Sequence, residues 1–149
     1  MEARTLSTLE FDKIIVQLAD YASSSLGREK IEQLTPVAEL EEVERRQQAT
    51  REGTTVLRLR GSVPFGGIRD IRSACKRASM GGVLNTTELL DIASTLYGGG
   101  RLKTFIASIT EEESLPLLKE LVSQVERLSG LENEINRAID EHGVVVDSA

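Results

Sequence analysis

From Thr8 to Ala22, the residues Leu9, Ile14, Ile15, Leu18, Ala19 and Ala22 recur at spacings of three and four. That spacing predicts one apolar face of a helix. Thr8 is its expected N-cap, and Phe11 joins the face. Ser23-Ser24-Ser25 interrupts the pattern and is placed to cap a second helix, Leu26 to Leu34, stopped by Thr35-Pro36, because the residue before proline avoids the α region. A long polar helix is predicted from Glu39 to Leu59. Leu40, Val43, Gln47, Thr50, Thr54 and Leu57 form a thin stripe in it, and Gly53 marks a kink or a close packing contact.

Gly61-Ser62-Val63-Pro64-Phe65-Gly66-Gly67 is the clearest loop. In it Phe65, Gly66 and Gly67 are the candidate structural residues. The glycines are expected to meet a positive φ or a close approach. Phe65 is expected to pack into the core and anchor the loop, and Arg69 and Asp70 to make fixed polar contacts at the next helix start. The competing reading leaves Phe65 exposed as an anchor for more protein or a second subunit. A short helix over Asp70 to Ser79 follows, with Ile71, Ala74, Cys75 and Ala78 on one side. Asn85 and Glu88 have the spacing of a capping box. The helix they start is expected to loosen at Gly98-Gly99-Gly100, since three glycines disfavour it. Leu115-Pro116 starts a helix with Leu117, Leu118, Leu121, Val122, Val125 and Leu128 on its face, ended by Ser129-Gly130. Leu131, Ile135, Ala138 and Ile139 predict a last helix to near Gly143, and Val144-Val145-Val146 one short strand. The expected fold is all-α, a multi-helix bundle-like core with that short C-terminal strand. It is read as one domain over residues 1–149.

Composition sharpens this picture by exclusion. Of 149 residues, 40% are hydrophobic and 28% charged, an ordinary globular balance. Aromatics are only 3%, which argues against a β-sandwich and against a base-stacking platform. One cysteine and one histidine exclude an intramolecular disulfide and a cysteine or histidine metal cluster. No apolar run is long enough for a membrane helix, so the reading is cytoplasmic, with no membrane partner. The net charge is −6, from 24 acidic and 18 basic residues. The chain as a whole is thus a poor stand-alone nucleic-acid binder.

The charge is uneven. From Arg58 to Arg77 there are six basic residues and one acid, whereas Glu111 to Glu141 holds nine acids and three bases. Arg69, Arg72, Lys76 and Arg77 fall at helical spacings and form the candidate nucleic-acid contact. The alternative is intramolecular or subunit pairing with acids such as Glu41, Glu42 and Glu44. Gly98-Gly99-Gly100-Arg101-Leu102-Lys103 lacks the glycine positions of a Walker A motif. His142 is expected at a helix C-terminus. Cys75 reads as a small core residue, or as a thiol whose pKa Lys76 and Arg77 lower. The run Glu111-Glu112-Glu113 reads as a solvated approach to a helix, not a cation site. The residues alone therefore predict no catalytic site, no metal site and no cofactor in this chain.

Thr5-Leu6-Ser7-Thr8-Leu9-Glu10-Phe11-Asp12-Lys13-Ile14-Ile15 and Ala22-Ser23-Ser24-Ser25-Leu26-Gly27-Arg28-Glu29 resemble the start of a known family. So do Pro64-Phe65-Gly66-Gly67-Ile68-Arg69-Asp70-Ile71, Ala138-Ile139-Asp140-Glu141 and Val146-Asp147-Ser148-Ala149. The family is the second bacterial MutS family, whose members carry a C-terminal Smr domain, and the likeness covers essentially the whole chain. It implies an N-terminal core or lever segment of a longer protein. It implies a full-length homodimer with an ABC-type ATPase using ATP and Mg²⁺, and an Smr-type endonuclease. It also implies association with branched DNA, mismatch repair and suppression of recombination, or with collided ribosomes and their rRNA. The Walker and Smr motifs would lie beyond Ala149, so none of their residues is carried onto this chain. The family pattern implies a continuous helix through Gly98-Gly99-Gly100.

Overall fold

The computed structural model describes residues 8–140 and 142–146. Seven helices occur among them: α1 Phe11–Ala19, α2 Ser25–Glu32, α3 Leu40–Arg60, α4 Arg72–Ser79, α5 Thr86–Thr110, α6 Pro116–Ser123 and α7 Ser129–Ala138. The all-α expectation holds, and no strand or sheet occurs among the described residues. The chain divides into two compact units within α3, between Thr55 and Val56, where the sequence reading treats it as one.

In the first unit α1 packs against α2. Thr8 is itself helical, and Glu10 at φ 52° separates it from α1, so Thr8 does not cap that helix. Instead Lys13 Nζ donates to Glu10 Oε1 at 2.6 Å. The serine break behaves as its chemistry requires: Ser24 is the N-cap of α2 and its Oγ accepts from Gly27 N at 3.1 Å. At the start of α3, Glu42 meets both Arg45 and Arg46 at 2.7 Å. Arg46 also donates to the Thr35 carbonyl at 2.8 Å, which ties the helix to the irregular segment before it. Gly53 has open space where a Cβ would lie, so no close contact explains it.

The second unit is built on α5, which packs against α6 and α7. One cluster joins Val56, Ile106, Ile109 and Leu115, with Leu59, Val63, Phe105 and Leu118 packed around it. The other joins Ala93, Ile135 and Ile139. α5 starts with the expected capping box: Glu88 N donates to Asn85 Oδ1 at 2.9 Å, and Asn85 N to Glu88 Oε2 at 3.0 Å.

Three expectations are corrected here. α5 runs unbroken through Gly98-Gly99-Gly100, as the family pattern implies and the propensities do not. Tertiary contacts outweigh about 1 kcal/mol of helix propensity per glycine. The helix starting at Pro116 stops at Ser123, and Ser129-Gly130 opens α7 instead of ending α6. Lys103 Nζ takes the Val125 carbonyl at 2.6 Å and Arg127 reaches the Gly100 carbonyl at 3.1 Å, which draws this stretch onto α5 as a linker. The valine run is not a strand. Val145 makes a single antiparallel bridge to Ile139, closed by Asp140 N donating to the Val144 carbonyl at 2.9 Å.

Candidate functional site: the glycine loop and the basic span

The loop before α4 lies along one face of α5, and small residues let it approach. Gly67 has φ +89°, and a Cβ there would sit 2.9 Å from Ser94 Oγ. Ser94 Oγ donates to the Gly67 carbonyl at 2.9 Å, and Arg69 N donates to Thr95 Oγ1 at 3.0 Å. One turn further along α5, Gly98 is buried; a Cβ there would lie 3.0 Å from Ile68 Cγ1 and 3.2 Å from the Gly66 carbonyl. Gly67 thus combines a positive φ with a close approach. Gly66 supplies its carbonyl, and the space beside its own Cα is open. Phe65 is 39% exposed and lies outside both core clusters, which corrects the expectation of a core anchor. The structure retains the other reading, a side chain facing outward.

The basic span is largely matched by acids of the same unit. Arg58 meets Glu113 at 3.5 Å and Arg60 meets Glu112 at 2.7 Å. Arg69 approaches Asp91 at 3.9 Å, Arg72 grips Asp70 at 2.6 Å, and Arg77 pairs with Glu88. The partners are not Glu41, Glu42 or Glu44. Lys76 forms no ion pair among the described residues. Arg69, Arg72, Lys76 and Arg77 are all exposed, at the approach to α4 and along it.

Asp70 organises the start of α4. Its Oδ1 accepts from Arg72 N at 3.2 Å and from Arg72 Nε at 2.8 Å. The Arg72 guanidinium, and then its backbone N–H, hold the Asp70 carboxyl at about 2. Arg77, and then the Asn85 backbone, likewise hold Glu88 below the usual carboxylate range. Glu88 therefore serves the capping box and the basic span together.

The remaining candidates disperse. Cys75 is exposed, not a core residue, because α4 buries Ala74. Glu112 and Glu113 are partners of Arg60 and Arg58. α7 ends at Ala138, so His142 lies in the following turn, where its backbone N–H donates to Asp140 Oδ1 at 2.9 Å. Glu141 and Asp147-Ser148-Ala149 fall outside the described residues, as do Thr5-Leu6-Ser7. No group of three His, Cys, Asp or Glu side chains among the described residues is placed to hold a metal ion. The Gly98–Lys103 stretch does not fit a triphosphate cradle, since it is helix interior and Lys103 is bound to the Val125 carbonyl. Sequence reasoning missed Asp91, Ser94 and Thr95. Their only signal was position on the helix that the loop has to cross.

No family model matches the chain. Curated relatives do. A protein named Endonuclease MutS2 from Brevibacillus brevis is 50% identical over 149 residues, all of this chain and 19% of that protein. Its namesake from Halalkalibacterium halodurans is 50% identical over 148 residues, 98% of this chain and 19% of that protein. One from Geobacillus is 48% identical over 150 residues, again 19% of its length. The chain thus spans about a fifth of the length of the curated relatives it matches. No helix among the described residues is long and apolar enough to cross a membrane. Matched from end to end at this identity, the chain belongs to the MutS2 family, of whose members it corresponds to one helical segment.

Proposed function

We propose that this chain is a non-catalytic helical segment of a MutS-like, DNA-processing ATPase and endonuclease, and that it couples nucleotide state to a nucleic-acid clamp. The observation that carries this reading is the end-to-end match to proteins named as endonucleases, of whose length the chain is 19%. A surface of the first unit supports it. Ile14 and Leu18, one helical turn apart on α1, are both exposed. An apolar face of that kind fits a part that docks onto more protein. ATP and Mg²⁺ act elsewhere in the full-length homodimer, and the DNA or ribosome is the clamp's target.

The test compares the chain with the full-length protein. The purified chain is expected to hydrolyse neither ATP nor DNA. In the full-length protein, Ile14→Lys with Leu18→Lys should leave basal ATP turnover intact and abolish its response to branched DNA or ribosomes. Turnover by the chain alone that survives contaminant controls overturns the proposal.

A second reading, direct contact with DNA or rRNA through Arg69, Arg72, Lys76 and Arg77, rests on their shared exposure and on Lys76, which meets no carboxylate among the described residues. The carboxylates on the three arginines weaken it. Each phosphate contact adds about 0.9 to the slope of log affinity against log salt on duplex DNA. Arg72→Glu with Arg77→Glu should flatten that slope if the reading holds. An unchanged slope rejects it.

A further inference from the structure

A cavity of about 840 Å³ opens in the second unit, where α5, the loop at Ser62 and Pro64, and the start of α7 meet. We propose that it binds a nucleoside phosphate, held by side chains. Tyr97 and Phe105 line it and provide flat apolar surface for a base. Arg101 lies with its guanidinium 5.7 Å from the Tyr97 ring centroid, so a cation is fixed beside that surface. Arg127 donates to the Gly100 carbonyl at 3.1 Å and to the Thr104 hydroxyl. Both acceptors are neutral, so its charge is positioned without being cancelled.

This separates the two from the basic span, whose arginines each meet a carboxylate. Arg101 and Arg127 meet none among the described residues. Arg60, also at the rim, is matched by Glu112. α7 contributes as well: Leu128 and Ser129 line the cavity, and the helix start carries no side-chain cap. The start of α7 thus brings the positive end of a helix dipole to the cavity wall. One acid, Glu132, lines the same space. A carboxylate opposes a bare anion, but it is the acceptor that ribose hydroxyls require. Flat rings, uncancelled guanidiniums and one carboxylate together match base, phosphate and sugar. The volume lies within the range of small-molecule sites.

Such a ligand is either a free nucleotide or the phosphorylated end of a strand. The 149-residue protein is titrated with AMP, dAMP, inorganic phosphate and a 5′-phosphorylated oligonucleotide, followed by NMR shifts. Saturable shifts at Tyr97 and Arg101 are expected with AMP, and weaker ones with dAMP. Arg101→Gln, at an exposed position, should weaken AMP about tenfold, as loss of one charge-assisted hydrogen bond does. Glu132→Gln should remove the preference for AMP over dAMP while dAMP binding stays. An oligonucleotide that binds more tightly than AMP assigns the site to strand ends; equal or weaker binding assigns it to the free nucleotide. The proposal is overturned by no saturable shift at roughly 10 mM AMP. An identical response to inorganic phosphate overturns it too, as does unchanged AMP affinity in a folded Arg101→Gln protein.

Discussion

Adding one methyl group at Gly98 tests how tightly the loop is held against α5. In an isolated helix, Gly→Ala stabilises by about 1 kcal/mol. At Gly98 the added Cβ lies 3.0 Å from Ile68 Cγ1 and 3.2 Å from the Gly66 carbonyl. Relief requires the loop to lift, and the loop is fixed on both sides, by Ser94 Oγ on the Gly67 carbonyl and by Thr95 Oγ1 on Arg69 N. Overpacking at such a site costs about 1–3 kcal/mol. The net expectation for Gly98→Ala is a loss of roughly 1 kcal/mol, which lowers Tm by about 2–4 °C in a chain of this size. Gly99→Ala is the control. Its Cβ meets Val125 Cγ1 at 3.5 Å, an ordinary contact, so the propensity gain survives and Tm should rise. Thermal and urea denaturation of both variants give the answer. A Gly98→Ala protein at least as stable as the wild type would refute the claim that the loop is rigidly seated.

Further outcomes follow from the same contacts. Ile109 is 0% exposed, so Ile109→Ala should cost about 2–5 kcal/mol in urea denaturation, while Phe65→Ala should cost less than half as much. Asn85→Ala removes one arm of the capping box and should cost about 1 kcal/mol; Asn85→Gly should cost only a few tenths. The folded Asp70 carboxyl titrates at about 2, below its ordinary value of 3.8, because of Arg72. Its contribution to stability is therefore complete above the ordinary value and fades as pH falls toward about 2. Asp70→Asn should flatten that part of the acid-denaturation curve, and an NMR titration midpoint near the ordinary value would contradict the assignment.

What the sequence disclosed was what a few neighbouring residues decide. Asn85 and Glu88 form their capping box because both partners lie within one helical turn. Ser24 caps α2 for the same reason. The long polar helix appeared as expected over Leu40–Arg60. The misreadings share the opposite origin. Gly98 looks like a helix breaker until the loop 30 residues earlier is placed on it. The linker between α6 and α7 follows from Lys103 and Arg127 reaching across to and from α5, which periodicity does not encode. The basic span read correctly as charge, but its carboxylate partners Glu88, Asp91, Glu112 and Glu113 come from later elements. Phe65 was misplaced because hydrophobicity alone does not tell a core residue from one turned outward.

The hydroxyls of Ser94 and Thr95 have a kinetic consequence for the loop they host. Arg69 is exposed and belongs to no helix, yet its amide proton is held by a side chain of α5 across 26 residues of sequence. If the loop stays seated until α5 opens, exchange of that proton with deuterium follows the opening of the helix. In slow-exchange experiments this surface residue should group with the interior of a 25-residue helix. Residues 66–69 would thus enter and leave the native state together with α5, as one cooperative unit assembled from parts that are distant along the chain.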